Sequence, residues 1–305
     1  MSADTSRRDT YIGFAFALTT VIIWSGNFII ARGVYKQIPP ISLAFYRWSL
    51  ASIIIFFLGY KKFISEKNFI FSNLKYFFWV SLMGITLFNT FIYIAGRTTT
   101  AINLALIGTT ASPVFVILIS AIFLKEKITP LRITGLLFCI AGVMVLLSKG
   151  SINTLLAFKF TAGDIWILLS GFVFSFYTIL VKRKPANISV VTFLFVVFIT
   201  GTLLLFPLFI IEKLIMPPVI WNGNLAGSIL YLGIGASVIA FFCWNSAIAK
   251  IGSVRTALFG NLIPIFSTLE AVWLLGETIT VIHIISGVLV IVGLLLANMK
   301  MAQAK

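Results

Sequence analysis

Residues 113–142 read PVFVILISAIFLKEKITPLRITGLLFCIAG, and residues 264–293 read PIFSTLEAVWLLGETITVIHIISGVLVIVG. The two stretches align without a gap at a constant offset of 151. The identities include the pairs Pro113/Pro264, Phe115/Phe266, Glu126/Glu277, Thr129/Thr280 and Gly142/Gly293. Upstream, Trp24-Ser25 aligns with Phe174-Ser175 at an offset of 150. The chain therefore contains an internal repeat.

The whole chain contains ten apolar segments, including those within these two stretches. Most are long enough to cross a bilayer as a helix, which takes about 20 residues. They are too long and too uniformly apolar for barrel strands, so the sequence predicts an all-α integral membrane protein. The predicted spans are 11–31, 41–59, 74–95, 100–124, 131–147, 163–181, 191–211, 226–249, 254–275 and 282–299.

Five spans fall in each half, so the predicted repeats are residues 11–147 and 163–299. Because five is odd, the second half must enter the membrane from the opposite face. The sequence thus predicts an inverted-topology repeat, an architecture that many secondary transporters use for alternating access around a site near the midplane.

Composition excludes a water-soluble domain and argues against nucleic-acid binding. Hydrophobic residues make up 60% and charged residues 10% of the chain, whereas soluble domains carry about 25% charged residues. The net charge of +15 is spread over separate joints and forms no continuous basic run. With a cytoplasmic N-terminus, 16 of the 23 Lys and Arg residues face the cytoplasm and 6 the other side, Arg47 being inside a span. The positive-inside rule then places both termini in the cytoplasm of a multi-pass inner (plasma) membrane protein.

These features resemble the drug/metabolite transporter superfamily, and in particular proteins with two EamA domains. The resemblance covers about residues 10–298 and is carried by residues 24–27 (WSGN), 45–47 (FYR), 112–115 (SPVF) and 263–265 (IPI), with the turns at Glu126 and Glu277. It implies a ten-helix bundle in which helices 1, 3, 4, 6, 8 and 9 line a central cavity and helices 5 and 10 lie outside. It also implies transport of amino acids, other metabolites or drugs, often outward. The second half departs from the first, with Phe174 in place of Trp24 and Phe198 in place of Arg47.

Polar and aromatic side chains recur at helical spacing in the helices expected to line the cavity. Small residues and Ser or Thr are also what packed membrane helices need, so single ones do not define a site. The larger groups suit a flat or amphipathic solute by stacking and hydrogen bonding. The predicted substrate-binding residues are Trp24, Asn27, Asn89, Tyr93, Tyr177, Trp244, Asn245 and Asn261. Pro113 and Pro264 each favour a kink and are the predicted hinges, although a static bend fits equally well.

Arg47 and Glu270 are the ionisable residues that stand clearly within the predicted spans, and intramembrane charges usually have a function. Arg47 lies six residues from one helix end and Glu270 five from another, or about 9 and 8 Å below the same face. Equal depth predicts a structural or gating charge pair. Two alternatives stay open, in which one of the two binds a charged substrate or Glu270 carries a proton.

The predicted function is secondary export of small organic solutes such as amino acids. Multidrug efflux, metabolite uptake and exchange are the alternatives. An intramembrane enzyme and a channel are remote alternatives, because the sequence shows neither a catalytic motif nor the motif of an ion-selectivity filter. The predicted partners are a small-molecule substrate and the bilayer, with proton coupling and a monomeric state both as options. No catalytic residue, metal site, cofactor or nucleic-acid partner is expected.

Overall fold

The computed structural model describes residues 3–99, 101–126, 128–157, 161–185, 187–275 and 280–298. Glu277 of the repeat motif lies outside these ranges. Ten long helical segments account for nearly all of the described chain, and a five-residue helix, Ile152–Leu156, precedes the sixth. They are α1 Ala3–Gly33, α2 Pro40–Ser72, α3 Leu74–Thr98, α4 Ala101–Phe123, α5 Pro130–Leu147, α6 Ala162–Lys182, α7 Val190–Ile215, α8 Gly223–Ile251, α9 Ser253–Leu258 continuing as Ile263–Leu275, and α10 Val281–Asn298.

Five helices, namely α2, α3, α6, α7 and α8, are long and apolar enough to cross a membrane by length and composition. Shorter apolar stretches of 10–17 residues lie in α4, α5 and α10. The predicted all-helical membrane class is confirmed, while the count of ten crossings stays a prediction.

Side-chain caps fix where several helices begin. Thr129 accepts a hydrogen bond from the Arg132 amide, and Pro130 fills the first position of α5, where a missing N–H costs nothing. Thr161 and Asp164 form a capping box at the start of α6. Ser189 and Asn222 cap α7 and α8 as Thr129 caps α5, each accepting from the backbone amide three residues further on. The polar residues between the apolar segments therefore define the helix starts.

The second helix is longer than predicted. The sequence predicts a span ending at Gly59 and a hydrophilic joint over residues 60–73, whereas α2 runs without a break to Ser72. Its 33 residues span about 50 Å, more than the hydrocarbon core of about 30 Å. The extension stays helical because one side of it packs on α7, with the Phe63 and Phe195 ring centroids 4.7 Å apart, while its lysines face outward.

The two halves pack against each other with pseudo-two-fold symmetry. Pairs of contacts between equivalent residues show this. At the repeat offset of 151, Gly135 corresponds to Ser286 and Gly142 to Gly293. In the structure Gly135 packs against the backbone of Gly293, and Gly142 packs against the backbone of Ser286, so one contact is the counterpart of the other. Between α2 and α7, Ser52 and Thr202, which are equivalent at offset 150, hydrogen-bond at 2.9 Å. The repeat in the sequence is thus also a repeat in the packing.

Both halves carry a π-helical segment at the corresponding place. In α3 it covers Leu82–Leu87, and the Phe88 amide donates to the Met83 carbonyl five residues back. In α8 it covers Tyr231–Ile239, and the Ala240 amide donates to the Gly235 carbonyl. Such wide turns loosen the regular hydrogen-bond ladder and are frequent at functional sites.

Candidate functional site

A cavity lies between the two halves and is lined by α1, α2, α3, α4, α6, α8 and α9. The prediction for the lining helices therefore lacked one member, α2, which contributes Arg47. The cavity volume that the centre of a water molecule can reach is ≈ 50 Å³. About 10–15 Å³ of this measure holds one water, so the cavity accommodates only a few water-sized groups in this conformation. The predicted residues on its lining are Trp24, Asn27, Arg47, Asn89, Pro113 and Trp244.

Arg47 is almost fully buried and is the centre of a hydrogen-bond network. Its Nη1 donates to Asn89 Oδ1 and to Tyr93 Oη, both at 2.7 Å, and to Asn27 Oδ1 at 3.1 Å. Its Nε donates to Ser237 Oγ at 2.6 Å. Three predicted residues, Asn27, Asn89 and Tyr93, are thus brought together on one guanidinium group.

The π-helical segment of α8 supplies the backbone acceptor of this network. The Ala236 carbonyl accepts from Arg47 Nη2 at 2.9 Å and from Trp24 Nε1 at 3.0 Å. A carbonyl in a regular α-helix is engaged four residues ahead, whereas a wide turn leaves carbonyls for outside donors. The distortion of α8 therefore holds both Arg47 and Trp24 in place.

Aromatic rings form one side of the cavity. The Trp24 ring lies 5.0 Å from Trp244 and 5.5 Å from Phe174, measured between centroids, and Phe174 stacks on Phe88 at 4.2 Å. These separations are those of favourable aromatic pairs. The rings offer a face on which a flat or apolar part of a solute can rest.

Tyr177 and Asn245, two further predicted residues, lie next to this aromatic side and bind each other. The Asn245 Nδ2 donates to Tyr177 Oη at 2.8 Å and to the Phe241 carbonyl at 2.6 Å. Tyr177 also stacks on Phe174, with centroids 5.5 Å apart. Neither Tyr177 nor Asn245 lines the cavity, so they support its wall from behind.

Asn261 and the two prolines occupy different positions. Asn261 is buried in a 3₁₀ turn, Phe259–Leu262, and its Nδ2 donates to the Leu258 carbonyl at 3.0 Å. Pro264 is the second residue of the helical segment that follows that turn, whereas Pro113 lies inside α4 and lines the cavity. The neighbouring Gly260 lines the cavity, but Asn261 does not.

The predicted contact between Arg47 and Glu270 is not formed. Among the described residues no carboxylate oxygen lies within 4.0 Å of the Arg47 guanidinium. Glu270 instead accepts a hydrogen bond from Ser25, two residues before Asn27 on α1. Equal predicted depth was therefore insufficient to pair the two charges, because each binds α1 instead, Glu270 through Ser25 and Arg47 through Asn27.

Sequence reasoning missed several polar groups of the bundle. Ser237 could have been noticed in the run of small residues that breaks α8, GIGAS at 233–237. Glu212 was placed beyond a span, yet it is buried and accepts from the Ile41 and Ser42 amides at 2.9 and 2.6 Å. Asp164 is also buried, and Thr99 Oγ1 donates to it. Glu212 and Asp164 both act at helix starts, where a carboxylate is favourable.

The architecture and the cavity together define a class, a helical membrane transporter built from two repeats with a site between them. The chain matches the EamA-like transporter family over residues 11–148 and 161–299, and it belongs to that family. It is a multi-pass membrane protein that transports small solutes and is not an enzyme.

Two relatives and one solved structure each match nearly the whole length of this chain. An uncharacterized transporter of Archaeoglobus fulgidus is 30% identical over 93% of this chain and 96% of its own length. A probable amino-acid metabolite efflux pump of Salmonella typhimurium is 25% identical over 95% of this chain and 94% of its own. A crystal structure at 20% identity covers 95% of this chain and 96% of its own with a TM-score of 0.71, which shows the fold alone.

Proposed function

We propose that this protein is a secondary transporter that exports small organic solutes, such as amino acids or related metabolites, across the cytoplasmic membrane by alternating access. The observation that carries the proposal is the cavity between the halves, lined by residues of both repeats and by the buried Arg47 network. The direction and the solute class are supported by the relatives named amino-acid metabolite efflux pumps in Salmonella typhimurium and Escherichia coli.

Alternating access requires two arrangements of the same helices around one site. The pseudo-two-fold relation offers a physical basis, because exchanging the conformations of two equivalent halves opens the site to the other face. The two π-helical segments and the two prolines lie at places where a helix can bend with little loss of regular hydrogen bonding. Both termini are proposed to be cytoplasmic, as the distribution of Lys and Arg suggests.

One chain encloses the whole cavity, so we propose that a monomer suffices. Glu270 is the proposed proton carrier if export is coupled to protons, since it is a carboxylate within a helix facing α1. Multidrug efflux, uptake and exchange remain alternative modes of the same architecture.

Counterflow in proteoliposomes tests the proposal. Vesicles containing the purified protein are loaded with an unlabelled amino-acid mixture, and accumulation of each labelled amino acid is measured against empty vesicles. A carrier gives saturable counterflow, whereas a channel gives flux without trans-stimulation. The absence of counterflow for amino acids, together with flux of lipophilic cations, would favour multidrug efflux. Export is then tested by comparing metabolites in the medium of cells with and without the protein.

A further inference from the structure

The cavity holds hydrogen-bond donors that lack partners. Asn89 Nδ2 and Trp244 Nε1 are buried and have no hydrogen-bond partner in the described part of the chain. The side chains of both residues are at least 98% buried, and both line the cavity. The orientation of the Asn89 amide is fixed, because its Oδ1 accepts from the positively charged Arg47. A buried donor without an acceptor costs about 1–3 kcal/mol, so these two groups need an acceptor from outside the described protein.

Arg47 adds a positive charge to the same wall. All of its hydrogen-bond partners are neutral oxygens, belonging to Asn27, Asn89, Tyr93, Ala236 and Ser237. A guanidinium group cannot lose its proton in a protein, so the charge persists inside the bundle. Burying an ion without a counter-ion costs several kcal/mol. An anion in the cavity would offset that cost.

From these donors we infer that the cavity recognises a carboxylate on an organic solute, held by Asn89 Nδ2, Trp244 Nε1 and the charge of Arg47. This inference rests on the proposed function and adds the chemical group that the site selects. A carboxylate has about four lone-pair sites and no donor, which matches the two unpartnered donors, Asn89 Nδ2 and Trp244 Nε1. The remaining lining is mostly apolar and aromatic, so after the cavity opens in the proposed transport cycle it suits the hydrocarbon part of a monocarboxylate better than a phosphate, whose second charge would have no cation.

A matched series of solutes tests the recognised group on the full-length protein in detergent. The probes are phenylalanine, 3-phenylpropionate, phenylalaninamide and phenethylamine, and the measurement is the shift in melting temperature as a function of concentration. We expect phenylalanine and 3-phenylpropionate to stabilise the protein, and the amide and the amine to bind about tenfold more weakly or worse, as the loss of a hydrogen bond to a charged group predicts. Equal binding of the amine or the amide would overturn the inference, as would the absence of binding by both carboxylates at millimolar concentration.

Three variants test which side chains bind the carboxylate. Trp244→Phe keeps the ring and removes the N–H, so it should weaken both carboxylates about tenfold. The control is Trp48→Phe, because Trp48 Nε1 is also buried without a partner in the described chain but lies outside the cavity lining. It should leave the affinity within about twofold. Asn89→Asp keeps the acceptor for Arg47 and supplies a counter-ion, so it should raise the melting temperature of the unliganded protein and abolish carboxylate binding. An equal loss of carboxylate affinity in Trp244→Phe and Trp48→Phe would contradict the assignment of Trp244 Nε1 to the site.

Two further readouts separate this inference from the proposed function. If phenylalanine binds but shows no counterflow, the transport proposal fails while the carboxylate site stands. If amines show counterflow as fast as carboxylates, the protein is a carrier and the carboxylate inference fails. Chloride is included as a competitor, because full displacement of the carboxylates by chloride at matched concentration would identify a site for inorganic anions instead.

Discussion

Substituting Gly293 by Ala should destabilise the bundle, although alanine is the better helix former. A Cβ at Gly293 would stand 2.5 Å from the Gly135 carbonyl oxygen and 2.7 Å from Cys139 Sγ, both on α5. Real Cβ atoms essentially never approach closer than 3.0 Å, so α5 and α10 must separate by about 0.5–0.9 Å to restore a distance of 3.0–3.4 Å. A radial gap of this size removes a quarter to a half of the dispersion energy of each contact across the crossing.

The magnitude follows from two opposing effects. Overpacking a close contact costs about 1–3 kcal/mol. Replacing glycine by alanine inside a helix returns about 1 kcal/mol of helix propensity. We therefore expect Gly293→Ala to lower the free energy of unfolding by up to about 2 kcal/mol, with a melting temperature lower by up to several degrees.

Gly287 on the same helix provides the matched control. A Cβ there meets nothing within 4 Å, so Gly287→Ala should be neutral or stabilising by up to about 1 kcal/mol. Gly142→Ala should fall between the two, because its nearest contacts are 2.8 and 2.9 Å. The order of stability is measured from melting curves of the purified variants in one detergent. The signal is the loss of the monodisperse peak in size-exclusion chromatography. Equal melting temperatures for Gly287→Ala and Gly293→Ala would refute the close crossing of α5 and α10.

Three other substitutions test separate parts of the structure. Glu212→Ala should lower stability by about 1–2 kcal/mol in melting experiments, because the Ile41 and Ser42 amides at the start of α2 lose their carboxylate cap, whereas Glu212→Gln should retain part of it. Tyr177→Phe should cost about 1–3 kcal/mol because Asn245 is left buried with fewer partners, and the same loss in a protein that already carries Asn245→Leu would disprove the coupling. Glu270→Gln should make solute counterflow independent of an imposed pH gradient if Glu270 carries the proton, and an unchanged pH dependence would exclude that role.

The fold class could be predicted because its signals are long and redundant. Apolar length alone identifies membrane helices, and the repeat at offset 151 links the two halves without any knowledge of contacts. The extent of α2 could not be read in the same way. Residues 60–72 are too polar for a membrane span, and they stay helical because of packing on α7, a tertiary effect that the local pattern does not contain.

The identity of candidate residues was easier to predict than their partners. Trp24, Asn27, Arg47, Asn89 and Trp244 stand out in apolar helices, and the structure places all five on one cavity. Periodicity fails where α8 is not α-helical. A regular α-helical spacing carried along α8 puts Tyr231 on the same face as Asn245, yet Tyr231 is exposed and Asn245 is buried. The wide turn over Tyr231–Ile239 changes the phase of every later residue in that helix.

The missing Arg47–Glu270 contact has a consequence for how the site works. A carboxylate bound to Arg47 would have satisfied the guanidinium permanently, and the cavity would then have offered a solute only neutral groups. With Glu270 held by Ser25 instead, the charge of Arg47 stays available on the wall shared with Asn89 and Trp244. A cavity that contains an uncompensated cation discriminates against cationic solutes by Coulomb repulsion and favours anions by attraction, and both effects are strong where water is scarce. If the cavity recognises a carboxylate as inferred above, we therefore expect its selectivity to require that Arg47 and Glu270 stay apart.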